Sequence, residues 1–201
     1  MGDEAGFGSG QIRLSPAGAS GRMERQMLTG RLIRLTALRS GDSETMWHWI
    51  NERADVLPNA PYRPVGEGQH AAWFEAVQRD RDTVIFGIRP LADDRLVGYC
   101  QLVNIHWVHR TGELRIRLGG EKDRGRGYGT EATRLLVEHG FKDLNLNRVE
   151  VHVFASNARA IRVYEKVGFV REGVLRGAAH INGECIDIVV MGILQQERHG
   201  G

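Results

Sequence analysis

Long apolar runs are missing from this 201-residue chain. None approaches the ~20 residues that span a bilayer, so no membrane partner is expected. Cysteine is scarce: Cys100 and Cys185 are the only two. They are too few for a disulfide framework and fit the reducing cytoplasm, the expected location. An excess of one charge is also absent. Lys and Arg number 27 against 25 Asp and Glu, a formal net charge of +2 that does not make nucleic acid a default partner. What remains is ordinary. Hydrophobic residues at 41% and charged residues at 26% match globular averages and exclude a fully disordered chain, a collagen and a coiled coil. A chain of this length forms one domain and buries roughly 70% of its unfolded surface without a metal or disulfide staple.

Glycine is spread unevenly. Gly2, Gly6, Gly8, Gly10, Gly18 and Gly21 crowd the first segment, which has few large apolar residues. Residues 1–22 therefore read as a flexible leader or expression tag, and the domain is expected over 23–198. Only five prolines occur, and Pro58, Pro61 and Pro64 mark one loop.

Periodicity supplies the elements. A first strand is expected at Arg31–Leu35. A helix capped near Asp42 or Ser43 carries Met46, Trp47 and Ile50, and a second runs from Glu67 to Arg79 with Ala71, Phe74 and Val77 on one side. Thr83–Arg89 and Leu96–Ile105 read as strands around a turn at Ala92–Asp94. Glu113–Leu118 alternates strictly, so Leu114, Ile116 and Leu118 face a core. Thr133, Leu136, Val137, Gly140, Phe141 and Leu144 form one helical stripe. Val149, Val151 and Val153 alternate, Ala158–Val167 is a short helix ended by Gly168, and Phe169–Leu175 and Cys185–Leu194 are strands joined at Asn182-Gly183. The order β-α-α-β-β-β-α-β-α-β-β implies an α/β fold with a mixed central sheet.

The most informative stretch is Arg124-Gly125-Arg126-Gly127-Tyr128-Gly129-Thr130. It follows an alternating strand and opens an amphipathic helix. Its glycines permit a sharp turn and close approach of a ligand, and the unpaired N–H groups of the helix start favour phosphate. A Walker loop would need Gly-Lys-Ser/Thr at its end, and a dinucleotide fingerprint would need glycine where Thr130 stands. The alternative is a glycine-rich turn on a solvated charged face.

This loop resembles the (Gln/Arg)-x-x-Gly-x-(Gly/Ala) motif of the GNAT superfamily of acyl-CoA N-acyltransferases. Asn157, Ala160, Tyr164 and Gly168-Phe169 match the family's second motif in the expected order. The resemblance runs from about Thr29 to Gln196. Leu144-Asn145-Leu146 and Ile181-Asn182-Gly183-Glu184 resemble the branch of ribosomal-protein N-terminal and spermidine N-acetyltransferases. It implies a single-domain GNAT-like fold, with a splayed parallel strand pair and acetyl-CoA as co-substrate. The pyrophosphate would rest on Arg124, Gly125, Arg126, Gly127, Tyr128, Gly129 and Thr130, and the pantetheine arm would pair with Ile116, Arg117 and Leu118. Asn157 and Ala160 would also touch the cofactor, although Asn157 also suits a helix cap.

The implied chemistry is direct attack of an amine on the thioester, with Tyr164 as general acid. A core aromatic is the alternative for Tyr164. Glu113 is the candidate base, with Asp187 and Glu184 behind it; a solvated ion pair with Arg115 or Arg117 is its alternative. No protein nucleophile is needed, so Cys100 and Cys185 read as buried core thiols. His70, Trp73, Phe74, Trp47, Trp49 and Tyr62 are candidates for the acceptor wall. His106 and His109 lack a third ligand, so no metal is expected. The acceptor is expected to be a small-molecule or peptide amine: a protein N-terminus, a polyamine, an amino sugar or an aminoglycoside-like antibiotic. A homodimer is the expected assembly. The competing function is a non-catalytic acyl-CoA sensor.

Overall fold

The computed structural model describes residues 28–52, 63–181 and 183–200. Residues 1–22, the proline loop as far as Tyr62, and Asn182 lie outside them. Eight strands form one mixed sheet in the order β1-β2-β3-β4-β5-β6-β8-β7. They are β1 (Leu28–Thr29), β2 (Ile33–Thr36), β3 (Val84–Pro90), β4 (Gly98–His106), β5 (Thr111–Leu118), β6 (Arg148–Phe154), β7 (Val170–Ile181) and β8 (Glu184–Leu194). Four α-helices accompany them among the described residues: α1 (Asp42–Asn51), α2 (Glu67–Arg79), α3 (Tyr128–Lys142) and α4 (Ala158–Val167).

The expected alternation holds where the sheet has a core to face. Leu114 is buried, and Ile116 and Leu118 pack against the same cluster. The valines of β6 join Leu136, Val137 and Phe141 of α3 in that cluster, which also holds the fully buried Cys100. The strand expected at Arg31–Leu35 is β2, which starts later, at Ile33, because Leu32 turns outward while Ile33 and Leu35 are buried; the short β1 precedes it.

The opposite face of the sheet carries α1. Arg89 points away from its core neighbour Ile88, and its Nη2 donates to both carboxylate oxygens of Asp42, at 2.6 and 2.7 Å. Arg89 Nε donates to Thr36 Oγ1, so this buried ion pair is hydrogen-bonded on several sides. Asp42 does not cap its own helix; it accepts from the Arg39 N–H, and Gly41 stands at the N-cap. On α2 the buried positions are His70 and Phe74, while Ala71 is exposed. The helix is thus rotated from the expected face, because His70 shares a hydrogen bond with Ser43 of α1.

Cys185 corrects a further expectation. It is exposed, facing His180 across β7–β8 near the hairpin turn. Nearly all of β7 is solvent-exposed, so the alternation of this outer hairpin has little core to bury against.

The central feature is a parting of strands. β5 and β6 run parallel but pair only at Thr111–Arg148, Gly112–Val149 and Glu113–Glu150. Beyond these, β5 stays paired with β4 as far as Leu118, and β6 stays paired with β8 as far as Phe154. The two half-sheets therefore diverge into a wedge.

Candidate active site

The wedge opens into a cavity of about 750 Å³. Ile116 and Leu118 line it from the helix-facing side of β5; Arg115 and Arg117 line it from the other side. Tyr99 and Gln101 of β4 stand opposite Arg117 and Arg115 in register. Ser156, Asn157, Arg159, Ala160, Val163 and Tyr164 close the β6 side, and Arg124 and Gly129 form the mouth at α3. The space is thus walled by residues from both faces of one strand.

The glycine loop is shaped by its backbone. Gly125 and Gly127 adopt φ of +81° and +86°, the left-handed region that other residues enter at a cost. Gly127 is the N-cap of α3 and supplies no capping side chain. The start of the helix therefore keeps N–H groups for an anion. Two carboxylates brace this loop. Asp123 is held by two hydrogen bonds from Arg95, which keep its carboxyl below the ordinary range. Glu131, in the first turn of α3, accepts the backbone N–H groups of Arg31, Leu32 and Ile33 at 2.7, 2.7 and 2.9 Å.

Tyr164 is almost fully buried on α4, its ring 5.7 Å from that of Phe169. Burial pushes its phenol up to about 12, so it stays protonated through neutral pH. A protonated hydroxyl in a cavity wall can donate to a departing anion. Asn157 caps α4 by accepting the Ala160 N–H at 3.0 Å and also faces the cavity.

Of the residues expected at the site, Ile116, Arg117, Leu118, Arg124, Gly129, Asn157, Ala160 and Tyr164 share this cavity wall. Gly125, Arg126, Gly127, Tyr128 and Thr130 belong to the adjoining loop and helix start without lining it. Glu113 stands just outside, at the last β5–β6 pair. Its oxygens accept from Arg115 at 2.8 and 3.1 Å and from Asn104 at 3.1 Å. Burial pushes the Glu113 carboxyl up, but Arg115, His152 and Asn104 together outweigh it and hold the group below its ordinary value.

Of the candidate acceptor-wall aromatics, Trp49 lies nearest in contact terms. Its carbonyl accepts from Arg117 Nη2 at 2.6 Å, and its indole covers Gly119. Trp47, Trp49, His70, Trp73 and Phe74 do not line the wall, and Tyr62 lies outside the described residues. Tyr99, Gln101, Ser156, Arg159 and Val163 went unnoticed in the sequence, and Arg115 was expected only as an ion-pair partner of Glu113; only the cross-strand register puts Gln101 and Tyr99 there. Among the described residues no group of three His, Cys, Asp or Glu could hold a metal.

A family model described as the acetyltransferase (GNAT) domain matches residues 32–170. The chain belongs to the GNAT acetyltransferase family. It is an acetyl-CoA-dependent N-acetyltransferase. It is 33% identical to the probable N-acetyltransferase YjcK of Bacillus subtilis over 85% of this chain and 98% of that one. It is 34% identical to the spermidine N(1)-acetyltransferase of Vibrio cholerae over 53% of this chain, a match that spans 61% of that enzyme's length. A crystal structure of spermidine N-acetyltransferase from Vibrio cholerae with CoA and spermine superposes with a TM-score of 0.76 at 26% identity, covering 84% of this chain and 99% of that one.

The start of α3 keeps N–H groups for an anion, and Glu131 ties that turn to the backbone of residues 31–33, which makes Glu131 a sensitive position. Glu131→Gln removes a negative charge near an anion site, and electrostatics alone would tighten acetyl-CoA binding. It also turns one acceptor oxygen into a donor facing backbone N–H groups, which loosens the loop. The expected result is acetyl-CoA affinity at least fivefold weaker, with S-acetylpantetheine, which has no pyrophosphate, bound unchanged. Calorimetric titration of both ligands checks it.

Proposed function

We propose that this enzyme acetylates an α-amine, such as a protein N-terminus, in preference to a polyamine. The observation that carries this is the state of Glu113, whose carboxylate is ion-paired with Arg115 and held below its ordinary pKa. Such a group is a weak base. At pH 7 an amine of pKa ~10.4 needs about 4.6 kcal/mol to lose its proton, and an α-amine near ~7.8 only about 1 kcal/mol. A weak acceptor of protons suits the second.

In this reading the loop from Arg124 to Thr130 holds the pyrophosphate, and the unpaired edge of β5 at Ile116–Leu118 aligns the pantetheine arm. Acetyl-CoA supplies the thioester. The amine enters past Tyr99, Gln101 and Arg115, from the side of β5 away from α3. Its nitrogen forms a bond to the acetyl carbon as the carbon–sulfur bond breaks. Tyr164 gives its proton to the leaving sulfur, and Glu113, directly or through water, takes the amine's proton.

Spermidine is the second reading, favoured by the names of the relatives above. Thiol release from acetyl-CoA should be measured over a panel holding an N-terminal peptide, spermidine and an amino sugar. Turnover is expected on the peptide above spermidine. Acetyl-CoA binding with no turnover on any amine would support a sensor instead. We also infer a homo-oligomer in the cytoplasm. A spermidine N-acetyltransferase from Vibrio cholerae, at 25% identity and a TM-score of 0.71, is described as dodecameric, and β7 here exposes Val170, Val174 and Leu175. The cytoplasmic placement rests on two free thiols.

A further inference from the structure

We infer that the acceptor end of the cavity is built for an amine with anionic groups close to it, as in the N-terminus of an acidic peptide. This rests on the acetyl-transfer reading of the cavity given above. Among the described residues, every charged side chain in the wall is an arginine: Arg115, Arg117, Arg124 and Arg159. No aspartate or glutamate lines it.

The four divide by position. Arg124 and Arg159 belong to the phosphate end; Arg159 Nη2 lies 3.7 Å from where a Cβ on Gly125 would stand. Arg115 and Arg117 do not. They project from the face of β5 away from α3, and strand spacing puts Arg115 about 10 Å before Leu118. The pantetheine arm beside them is uncharged, so the donor gives these two guanidinium groups no partner.

Carboxylates on the same face are already engaged. Glu113 is bound by Arg115 and Asn104. Glu150 is bound by Arg148, which also grips Glu172. A polyamine arriving with further ammonium groups would meet two arginines and would have to displace a guanidinium to find a counter-charge. An acceptor carrying carboxylates meets the opposite situation. A guanidinium offers five N–H donors in a planar fork that matches a carboxylate, and Arg115 commits only Nε and Nη2 to Glu113. Gln101, directly across from Arg115 in register, adds an amide able to bind a peptide group.

The test compares kcat/KM for the full chain at saturating acetyl-CoA on four tetrapeptide and polyamine acceptors: Ser-Glu-Glu-Ala, Ser-Ala-Ala-Ala, Ser-Lys-Lys-Ala and spermidine. The expected order is acidic, neutral, basic, with at least tenfold between the acidic and basic peptides and a ratio that shrinks as salt rises. Free glutamate is the small-molecule arm: a higher value for the acidic peptide assigns the anion to a peptide, and the reverse assigns it to a free amino acid. Arg115→Gln should reduce the acidic-to-basic ratio severalfold, and Arg115→Glu should invert it. The ratio is read within each variant, so a general loss of activity does not disturb it, and Arg115→Gln carries the test if the glutamate variant does not fold. Preference for spermidine or the basic peptide, or a ratio unchanged by both substitutions, overturns the inference while leaving acetyl transfer intact. No turnover on any acceptor overturns both.

Discussion

Replacing Tyr164 by phenylalanine is expected to lower kcat at least tenfold while acetyl-CoA affinity changes by less than about threefold. The ring stays in its pocket beside Phe169, so the helix and the cavity wall survive. Only the hydroxyl is lost. Proton donation of this kind is worth about 10²–10⁴-fold, or roughly 3–5 kcal/mol of barrier. The raised pKa of Tyr164 adds a signature. Burial pushes its phenol up to about 12, so it stays protonated from pH 6 to pH 9 and the defect should be the same size at both. A donor with a more acidic leaving thiol should shrink it. Stopped-flow and steady-state rates across that range give the answer. A variant with wild-type turnover would make Tyr164 a packing residue.

Gly127→Asp should weaken acetyl-CoA binding a hundredfold or more, roughly 3 kcal/mol. Gly127 sits at φ +86° at the start of α3, with Leu32 Cδ1 3.1 Å from where its Cβ would be. Aspartate enters the left-handed region more readily than most residues, and the Leu32 contact is with the end of a flexible side chain, so the fold should persist. The new carboxylate would stand where the helix start offers its N–H groups to phosphate. Gly127→Ala separates the two causes. It carries the same Cβ without the charge and should cost far less affinity. Equal losses in the two variants would mean that backbone strain, and not anion repulsion, is responsible.

Much of this architecture could be read from the chain because its signals are local. The alternation of Glu113–Leu118, the stripe from Thr133 to Phe141 and the glycine at 168 each depend on neighbours a few residues away. The loop at 124–130 and the tyrosine at 164 were legible through motif spacing. The misses share a different cause. Gln101 and Tyr99 reach the cavity only because β4 pairs with β5 in one register. Glu131 binds backbone groups 98 to 100 residues earlier, and N–H groups leave no mark in residue identity. That the chemistry needs no protein nucleophile points Cys185 to the core but does not fix its burial, and the outer hairpin extends where little covers it.

The parting of β5 from β6 has a consequence for hydrogen exchange. Three residue pairs join the half-sheets along these strands, and past Glu113 the inner margin of β5 is a sheet edge in the middle of the molecule. An edge leaves backbone N–H groups without a ladder partner. Amides of the 114–118 segment that point into the wedge should therefore exchange with solvent deuterium far faster than their neighbours that bond to β4. If acetyl-CoA binds along that margin as proposed, it should slow the same amides and leave those of β3 unchanged. The protein would then report occupancy of its own site, residue by residue, without any assay of turnover.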